Sequence, residues 1–306
     1  MPMTSPFATD AAPFGRVLTA MVTPFTVDGE LDLAAAQKVA THLVDHGNDG
    51  LVVSGTTGES PTTSVDEDGR LLAAVVEAVG DRATVVAGVG TNDTRHSVAL
   101  AEQAAKVGAD GMLVVTPYYS KPPQRGIVAH VDAVAAAGDG LPVMLYDIPG
   151  RTATTIAPET YVELRRNPAV VAVKDAVGDL DRGARIMAET GIVYYSGDDQ
   201  LTLGWLAYGA AGTVSVVGHA AGEQYAEMVR AVDAGDLASA RAVHQRLSPL
   251  VTAMMTYTQG AITAKVALNL LGVLDHTTMR LPLPDANEEE VAIVRAGLVA
   301  SGLLES

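Results

Sequence analysis

Short apolar runs recur along the chain and alternate with longer, alanine-rich stretches. Runs that are rich in branched side chains and apolar throughout are typical of strands buried on both faces of a parallel sheet. The intervening stretches, such as Leu33–His46, Asp66–Val79 and Ser97–Val107, have the spacing of helices. The pattern predicts eight β–α units, whose strands are Val17–Thr23, Gly50–Val53, Thr84–Gly88, Gly111–Val115, Pro142–Tyr146, Val170–Lys174, Ile192–Ser196 and Thr213–Val217.

Eight consecutive units of this kind favour a closed parallel barrel, the (β/α)8 or TIM barrel of the α/β class. A doubly wound sheet is the alternative. A dinucleotide-binding sheet of that class carries Gly-x-Gly-x-x-Gly after its first strand, whereas this chain continues with Thr23-Pro24-Phe25. We therefore predict the barrel.

The pattern changes after Val217, because only helical stretches follow, on to Gly302. This part is too long to be one helix of the barrel, so we predict a C-terminal α-helical appendage. The predicted regions are a loose N-terminal tail at 1–13, the barrel at 14–233 and the C-terminal helical region at 234–306.

Composition narrows the classes of function. The 306 residues carry a formal net charge of -16, which argues against a nucleic-acid partner, and any anionic substrate needs donors placed locally. The absence of cysteine excludes disulfides, thiolate metal sites and cysteine nucleophiles. No apolar stretch is long enough to span a membrane, and residues 1–13 lack the pattern of a signal peptide. We expect a cytoplasmic protein with no membrane partner.

The sixth predicted strand ends on a lysine, since Val170-Val171-Ala172-Val173 runs directly into Lys174. Barrels of this class place their catalytic groups at the carboxyl ends of the strands. Partial burial there disfavours the ammonium form and makes the nucleophilic amine accessible, which is the chemistry of a Schiff-base lysine. The alternative is a lysine that only ends a strand and extends into solvent.

Hydroxyl groups follow the second and fourth strands. Thr56 and Thr57 lie in a glycine-flanked turn whose backbone N–H groups can bind an anion, although an ordinary turn has the same composition. Tyr118 and Tyr119 form a pair of phenols on a Pro-containing turn, which simple ring packing would also explain.

The fifth and seventh strands end in further polar groups. Tyr146 ends the fifth strand, and a Pro-Gly turn then carries Arg151, whose guanidinium suits a carboxylate unless it is only a surface group. Gly197 allows a ligand to approach the backbone, while the aspartates after it can cap a helix. Collected at one end of one barrel, these residues predict catalysis.

The sequence lacks the motifs that metal-dependent or nucleotide-dependent chemistry requires. His42 and His46 are four residues apart on one predicted helix, but no glutamate-containing zinc motif surrounds them. The chain has neither a P-loop nor a Gly-x-Ser-x-Gly turn. We predict no cofactor and no metal.

Five segments together resemble the dihydrodipicolinate synthase family, which belongs with N-acetylneuraminate lyase among the pyruvate-dependent class I aldolases. The resemblance extends over nearly the whole chain, in order. The segments are Gly55-Thr56-Thr57-Gly58-Glu59, Thr116-Pro117-Tyr118-Tyr119, Tyr146-Asp147-Ile148-Pro149-Gly150-Arg151-Thr152, Val173-Lys174-Asp175 and Ser196-Gly197-Asp198-Asp199.

The resemblance implies a lyase of lysine and diaminopimelate biosynthesis that condenses pyruvate with L-aspartate 4-semialdehyde to 4-hydroxy-tetrahydrodipicolinate. It implies that Lys174 forms a Schiff base and that Thr56, Tyr146 and Tyr119 relay protons, with Tyr119 donated by a neighbouring subunit of a homotetramer. The substrate-binding residues it implies are Thr57, Arg151, Gly197 and Val214.

One departure concerns feedback inhibition by lysine. The inhibitor pocket of lysine-inhibited relatives is matched at Ser60, Asn92 and Tyr118, but its histidines and its glutamate are replaced. Because a ligand ammonium would lack its charge partner, we expect weak or absent inhibition. The replacing residues are Val65, Asp68 and His96.

Two alternatives to the synthase stay open at this point. A related aldolase that acts on a sugar acid, such as a sialic acid or 2-keto-3-deoxygluconate, would share the lysine and the relay but not the arginine turn. A catalytically silent barrel could bind a keto acid without turning it over, although Lys174, Tyr146 and Thr56 are all present.

Overall fold

Eight parallel strands close into one barrel in the computed structural model, which describes residues 11–305. Each strand pairs with the next along the chain, and the eighth pairs with the first. The predicted (β/α)8 barrel is confirmed. The strands are β1 Val17–Ala20, β2 Gly50–Val53, β3 Thr84–Gly88, β4 Gly111–Val115, β5 Val143–Asp147, β6 Val170–Asp175, β7 Val193–Ser196 and β8 Gly212–Ser215.

Helices follow the strands around the outside of the barrel, and three more form the C-terminal region. Short 3-10 turns at Ser60–Thr62 and Asp199–Leu201 precede two of them. The helices are α1 Leu33–Asp45, α2 Val65–Val79, α3 Thr94–Val107, α4 Gln124–Ala137, α5 Pro149–Thr152, α6 Pro158–Leu164, α7 Leu180–Thr190, α8 Thr202–Ala207, α9 Gly218–Asp233, α10 Leu237–Met255, α11 Gly260–Leu270 and α12 Glu288–Ala300.

The first and last strands are shorter than the apolar pattern predicts. β1 ends at Ala20, and the backbone N–H of Val22 donates to the imidazole of His219 instead of a neighbouring strand. β8 ends at Ser215, and the N–H groups of the next two residues donate to the carboxylate of Asp199. In both places a buried side chain replaces the strand ladder as the partner of the backbone.

The hydrophobic core has two layers. The larger layer lies between the sheet and the surrounding helices, and a smaller cluster fills the barrel interior. Strand side chains alternate between these two layers, as the pleat requires. The interior cluster includes Phe14, Leu18, Val52, Val86, Leu113, Met144, Tyr146, Ala172, Tyr195 and Val214.

The described segments before and after the barrel pack against the rest of the chain. Ala12 is buried in the interior cluster, while residues 1–10 of the predicted tail lie outside the described residues. At the other end, α10 packs against α9 and α12. Within residues 11–305, no helix is long and apolar enough to cross a membrane.

Hydrogen bonds of a buried tyrosine, Tyr195, close the amino end of the barrel. The hydroxyl of Tyr195 donates to the carbonyl of Gly15 at 2.9 Å and accepts the backbone N–H of Phe14 at 3.3 Å. The carbonyl of Phe14 in turn accepts from the hydroxyl of Thr84 at the start of β3. The segment before β1 is thereby tied across the barrel floor.

We expect Tyr195→Phe to lower the free energy of unfolding by about 1–3 kcal/mol, because a buried N–H and a buried carbonyl lose their partner. Tyr208→Phe is the matched control, since that ring is half exposed, and should change stability by less than about 0.5 kcal/mol. Urea unfolding at one protein concentration measures both variants. Equal midpoints for the two would contradict this role of Tyr195.

Candidate active site

Lys174 lies near the carboxyl end of β6 and is buried, with 5% of its surface exposed. Among the described residues it forms no ion pair, and its Nζ lies 4.4 Å from the ring centroid of Tyr146. Burial lowers the pKa of Lys174 to about 8; the nearby Asp199 raises it, and Arg151 lowers it further. With this pKa, roughly a tenth of the amine is neutral and nucleophilic at pH 7.

Tyr146 is placed beside the lysine by strand register. It is the direct partner of Lys174 in the β5–β6 ladder, so both side chains point into the barrel. Burial raises the pKa of the Tyr146 phenol to about 12. The group therefore stays a neutral hydroxyl, which both donates and accepts a hydrogen bond near the amine.

A cavity of about 380 Å³ opens at this end of the barrel. Thr56, Tyr146 and Arg151 line it, which brings together three of the residues that the sequence singled out. Lys174 is outside the lining, but its Nζ lies 4.4 Å from the ring centroid of Tyr146, which belongs to the lining. The amine is therefore one side chain away from the cavity.

The turn after β2 presents its threonines in a compact loop. Gly58 N–H donates to Gly55 O at 3.0 Å, and Glu59 N–H donates to Thr56 O at 3.1 Å. Thr57 is buried, whereas the Thr56 side chain faces the cavity. The two neighbouring threonines thus have different surroundings.

Arg151 lies on the one-turn helix α5 and is exposed at the mouth of the cavity. Its positive charge lowers the pKa of both Lys174 and Tyr146, so the guanidinium is close enough to interact electrostatically with both side chains. In a chain of net charge -16, it supplies positive charge where an anionic substrate would enter.

Gly197 directly follows β7, the neighbour of β6, and Val214 lies on β8. A Cβ at Gly197 would lie 3.0 Å from Cγ of Lys174 and 2.8 Å from the carbonyl of Asp175, so the side-chain-free backbone allows the close approach. Val214 is fully buried in the interior cluster. Neither residue belongs to the lining of this cavity.

Tyr119 is not part of the cavity of its own chain. Its side chain is 89% exposed and its φ is 71°, in the left-handed region, while the preceding Tyr118 lines the cavity. The strand-end pattern placed both phenols at one end of the barrel, and the resemblance assigned Tyr119 to the site of a neighbouring subunit. Within its own chain, Tyr118 lines the cavity and Tyr119 does not.

Asp199, which sequence reasoning treated only as a helix cap, is buried and close enough to raise the pKa of Lys174. Its carboxylate accepts from Tyr225 at 2.8 Å, from the N–H of Val216 at 3.0 Å and from the hydroxyl of Ser215. Burial raises the pKa of Asp199, and these hydrogen bonds act in the opposite sense. The helix-capping role belongs to Asp198, which accepts the N–H of Gln200.

Two of the residues expected at the positions of the lysine-inhibitor pocket, Asp68 and His96, lie near each other. Asp68 is buried and accepts from the hydroxyl of Thr63 at 2.8 Å. Burial raises the pKa of Asp68, and the charge of the exposed His96 opposes this, so the two side chains are near each other. A carboxylate is present here, but it comes from α2 and is already hydrogen-bonded.

The paired histidines contact each other at the carboxyl end of α1. The rings of His42 and His46 stack with centroids 4.1 Å apart. Across residues 11–305, no group of three or more histidine, aspartate, glutamate or cysteine side chains is arranged to hold a metal ion.

Known proteins are similar to this chain in sequence and in fold. The sequence model of the dihydrodipicolinate synthetase family matches residues 13–300. The 4-hydroxy-tetrahydrodipicolinate synthases of Acidothermus cellulolyticus and Kineococcus radiotolerans are 60% and 58% identical, covering 96% and 95% of this chain and 94% of each relative. The crystal structure of the synthase from Cyanidioschyzon merolae with lysine bound superposes with a TM-score of 0.91 at 42% identity, covering 95% of this chain and 99% of that one.

We expect the amine of Lys174 to react with an acylating reagent with a midpoint near pH 8, because burial lowers its pKa from 10.5 to about 8. Arg151→Met should move the midpoint upward, since removing a nearby positive charge favours the ammonium form. Arg241→Met, on the exposed face of α10, should leave it unchanged. Peptide mass spectrometry measures the modification, and a wild-type midpoint near 10.5 would contradict the expectation.

Proposed function

The chain belongs to the dihydrodipicolinate synthetase family, and from this membership we propose that it condenses pyruvate with L-aspartate 4-semialdehyde to give 4-hydroxy-tetrahydrodipicolinate. The observation that carries the proposal is the buried amine of Lys174, which lies over the ring of Tyr146 and has no ion-pair partner among the described residues. The curated relatives are synthases, so a sugar-acid aldolase is not favoured.

Lys174 is the nucleophile in this proposal. Its neutral amine attacks the ketone carbon of pyruvate, and the carbinolamine loses water to give a protonated imine. The cationic imine accepts the electron pair left when a methyl proton departs, which gives an enamine. A pKa of about 8 supports the first step, since part of the amine is free at neutral pH.

The enamine carbon then attacks the aldehyde of the second substrate. A carbon–carbon bond forms, and the aldehyde oxygen takes up a proton to become a hydroxyl. The amino group of the acceptor attacks the re-formed imine carbon, and Lys174 leaves as a free amine. Ring closure therefore regenerates the enzyme without an external oxidant or reductant.

Proton transfer in these steps is assigned to Thr56, Tyr146 and a tyrosine from the partner subunit. Hydroxyl groups suit a relay because each one donates and accepts. Thr56 and Tyr146 line the same cavity. Tyr119 is 89% exposed in its own chain, which is the exposure that donation to another subunit requires.

Substrate carboxylates are assigned to separate donors. Thr57 and the backbone of the Thr56–Thr57 turn would hold the pyruvate carboxylate, and Arg151 at the mouth would hold that of the aldehyde substrate. Gly197 and Val214 would line the pyruvate side through their backbone groups. We assign the enzyme to lysine and diaminopimelate biosynthesis in the cytoplasm, as a homotetramer, on the basis of the family resemblance.

We expect Lys174→Ala to abolish borohydride-stable labelling by pyruvate and to lower turnover by roughly 10³-fold or more, because no amine replaces the nucleophile. Turnover is followed through reduction of the product by a coupled reductase. Lys106→Ala, an exposed lysine on α3, should retain labelling and turnover. Wild-type protein that is folded but neither labels nor turns over would overturn the proposal and favour a silent keto-acid-binding barrel.

Lysine should inhibit weakly or not at all. Val65 and Asp68 replace the two histidines, and His96 replaces the glutamate, so a ligand ammonium loses its dedicated partner. Turnover should be unchanged at lysine concentrations that occupy the Cyanidioschyzon merolae enzyme, whose structure contains lysine. Strong inhibition at sub-millimolar lysine would contradict this expectation.

A further inference from the structure

The turn that carries Thr56 and Thr57 ends on an unusual buried acid. Glu59 has a φ of 58°, in the left-handed region, and its side chain is fully buried. Its backbone N–H donates to Thr56 O, so the position of Glu59 and the position of Thr56 are directly connected. A glutamate is costly to bury, and it requires partners.

Both oxygens of that carboxylate are bound by the C-terminal region. Nζ of Lys265 on α11 lies 2.6 Å from one oxygen of Glu59, and the backbone N–H of Arg280 donates to the other at 3.0 Å. Lys265 also donates to the carbonyl of Thr278 at 2.7 Å, and its side chain is 1% exposed. The pair joins residues 206 positions apart in the chain.

The C-terminal region also contacts other segments near the turn. Two cationic groups lie over the Phe25 ring: the Lys265 Nζ is 4.4 Å from its centroid and the Arg280 guanidinium is 4.2 Å from it. The guanidinium also donates to the carbonyl of Thr62 and to the carboxylate of Glu67 on α2. Lys265 on α11 and Arg280 in the segment before α12 thus contact Glu59 and the residues near the turn.

The geometry points to Glu59 and Lys265 as positioning residues for the Thr56–Thr57 turn. Through this ion pair, the C-terminal region would determine where the turn lies in the active site. This inference rests on the roles proposed above for Thr56 and Thr57. A buried ion pair is a poor means of gaining stability, because an apolar pair of similar volume serves as well or better. Its directional contacts instead fix where the carboxylate, and with it the turn, must lie.

A misplaced turn should impair proton transfer more than imine formation. Lys174 is on another strand, so it should still form the imine with pyruvate when the turn shifts. Removal of a methyl proton from that imine needs the Thr56 hydroxyl in its place in the proton relay. A displacement of about 1 Å can lower the rate by about 10²-fold. Exchange of pyruvate methyl protons with D2O, followed by NMR, measures this step without the aldehyde substrate.

The test compares the full-length wild type with Lys265→Met and with the double variant E59Q/K265M. Lys265→Met leaves a buried charge unpaired and should lose both stability and exchange. The double variant removes both charges and should recover thermal stability while its exchange stays at least about tenfold below the wild type. Arg246→Met is the matched control, because it breaks a half-exposed ion pair with Glu227 in the same helical region, and should behave as the wild type.

Borohydride labelling by pyruvate separates the possible outcomes. Wild-type protein that neither labels nor exchanges would refute the proposed function itself. A wild type that exchanges, together with an E59Q/K265M variant that exchanges equally fast, would overturn the positioning role and leave the synthase assignment intact. Recovery of stability without recovery of exchange, with labelling preserved, is the result we expect.

Discussion

Everything at this site depends on keeping one amine away from water without giving it a carboxylate in contact. Lys174 is buried beside a phenol and has no ion-pair partner among the described residues, so burial dominates its pKa. Burial lowers the pKa of Lys265 as well, but there the contact with Glu59 opposes the shift and favours the charged form. The two lysines show how one physical effect, desolvation, yields either a nucleophile or an anchor, depending on whether an acid lies within contact distance.

The fold was predictable because the signal for it is local. Each strand of the barrel is an apolar run in the sequence, and a closed parallel sheet covered by helices requires little else. The errors lie where side chains from distant parts of the chain take over backbone hydrogen bonds. His219 and Asp199 capture N–H groups beyond β1 and β8, and no apolar pattern can show that these strands stop early.

The site was predictable as far as strand ends could reveal it. Lys174, Tyr146 and Thr56 follow from their positions after strands, and the structure brings them to one end of the barrel. Tyr119 is 89% exposed in its own chain, so its assignment to a neighbouring subunit's site rests on the family resemblance and not on a strand-end position. Lys265 carried no signal at all, because its partner is 206 residues away and nothing near it in the sequence suggests chemistry.

The link between α11 and the turn after β2 also restricts how such genes can recombine. A chimera that joins the barrel of one relative to the C-terminal helices of another brings together a Glu59 and a Lys265 that were not selected as a pair. The same holds for Phe25 and Arg280, which meet in that interface. Crossover points between barrel and tail should therefore survive only where both parents share all four residues, so the two regions are inherited as one unit.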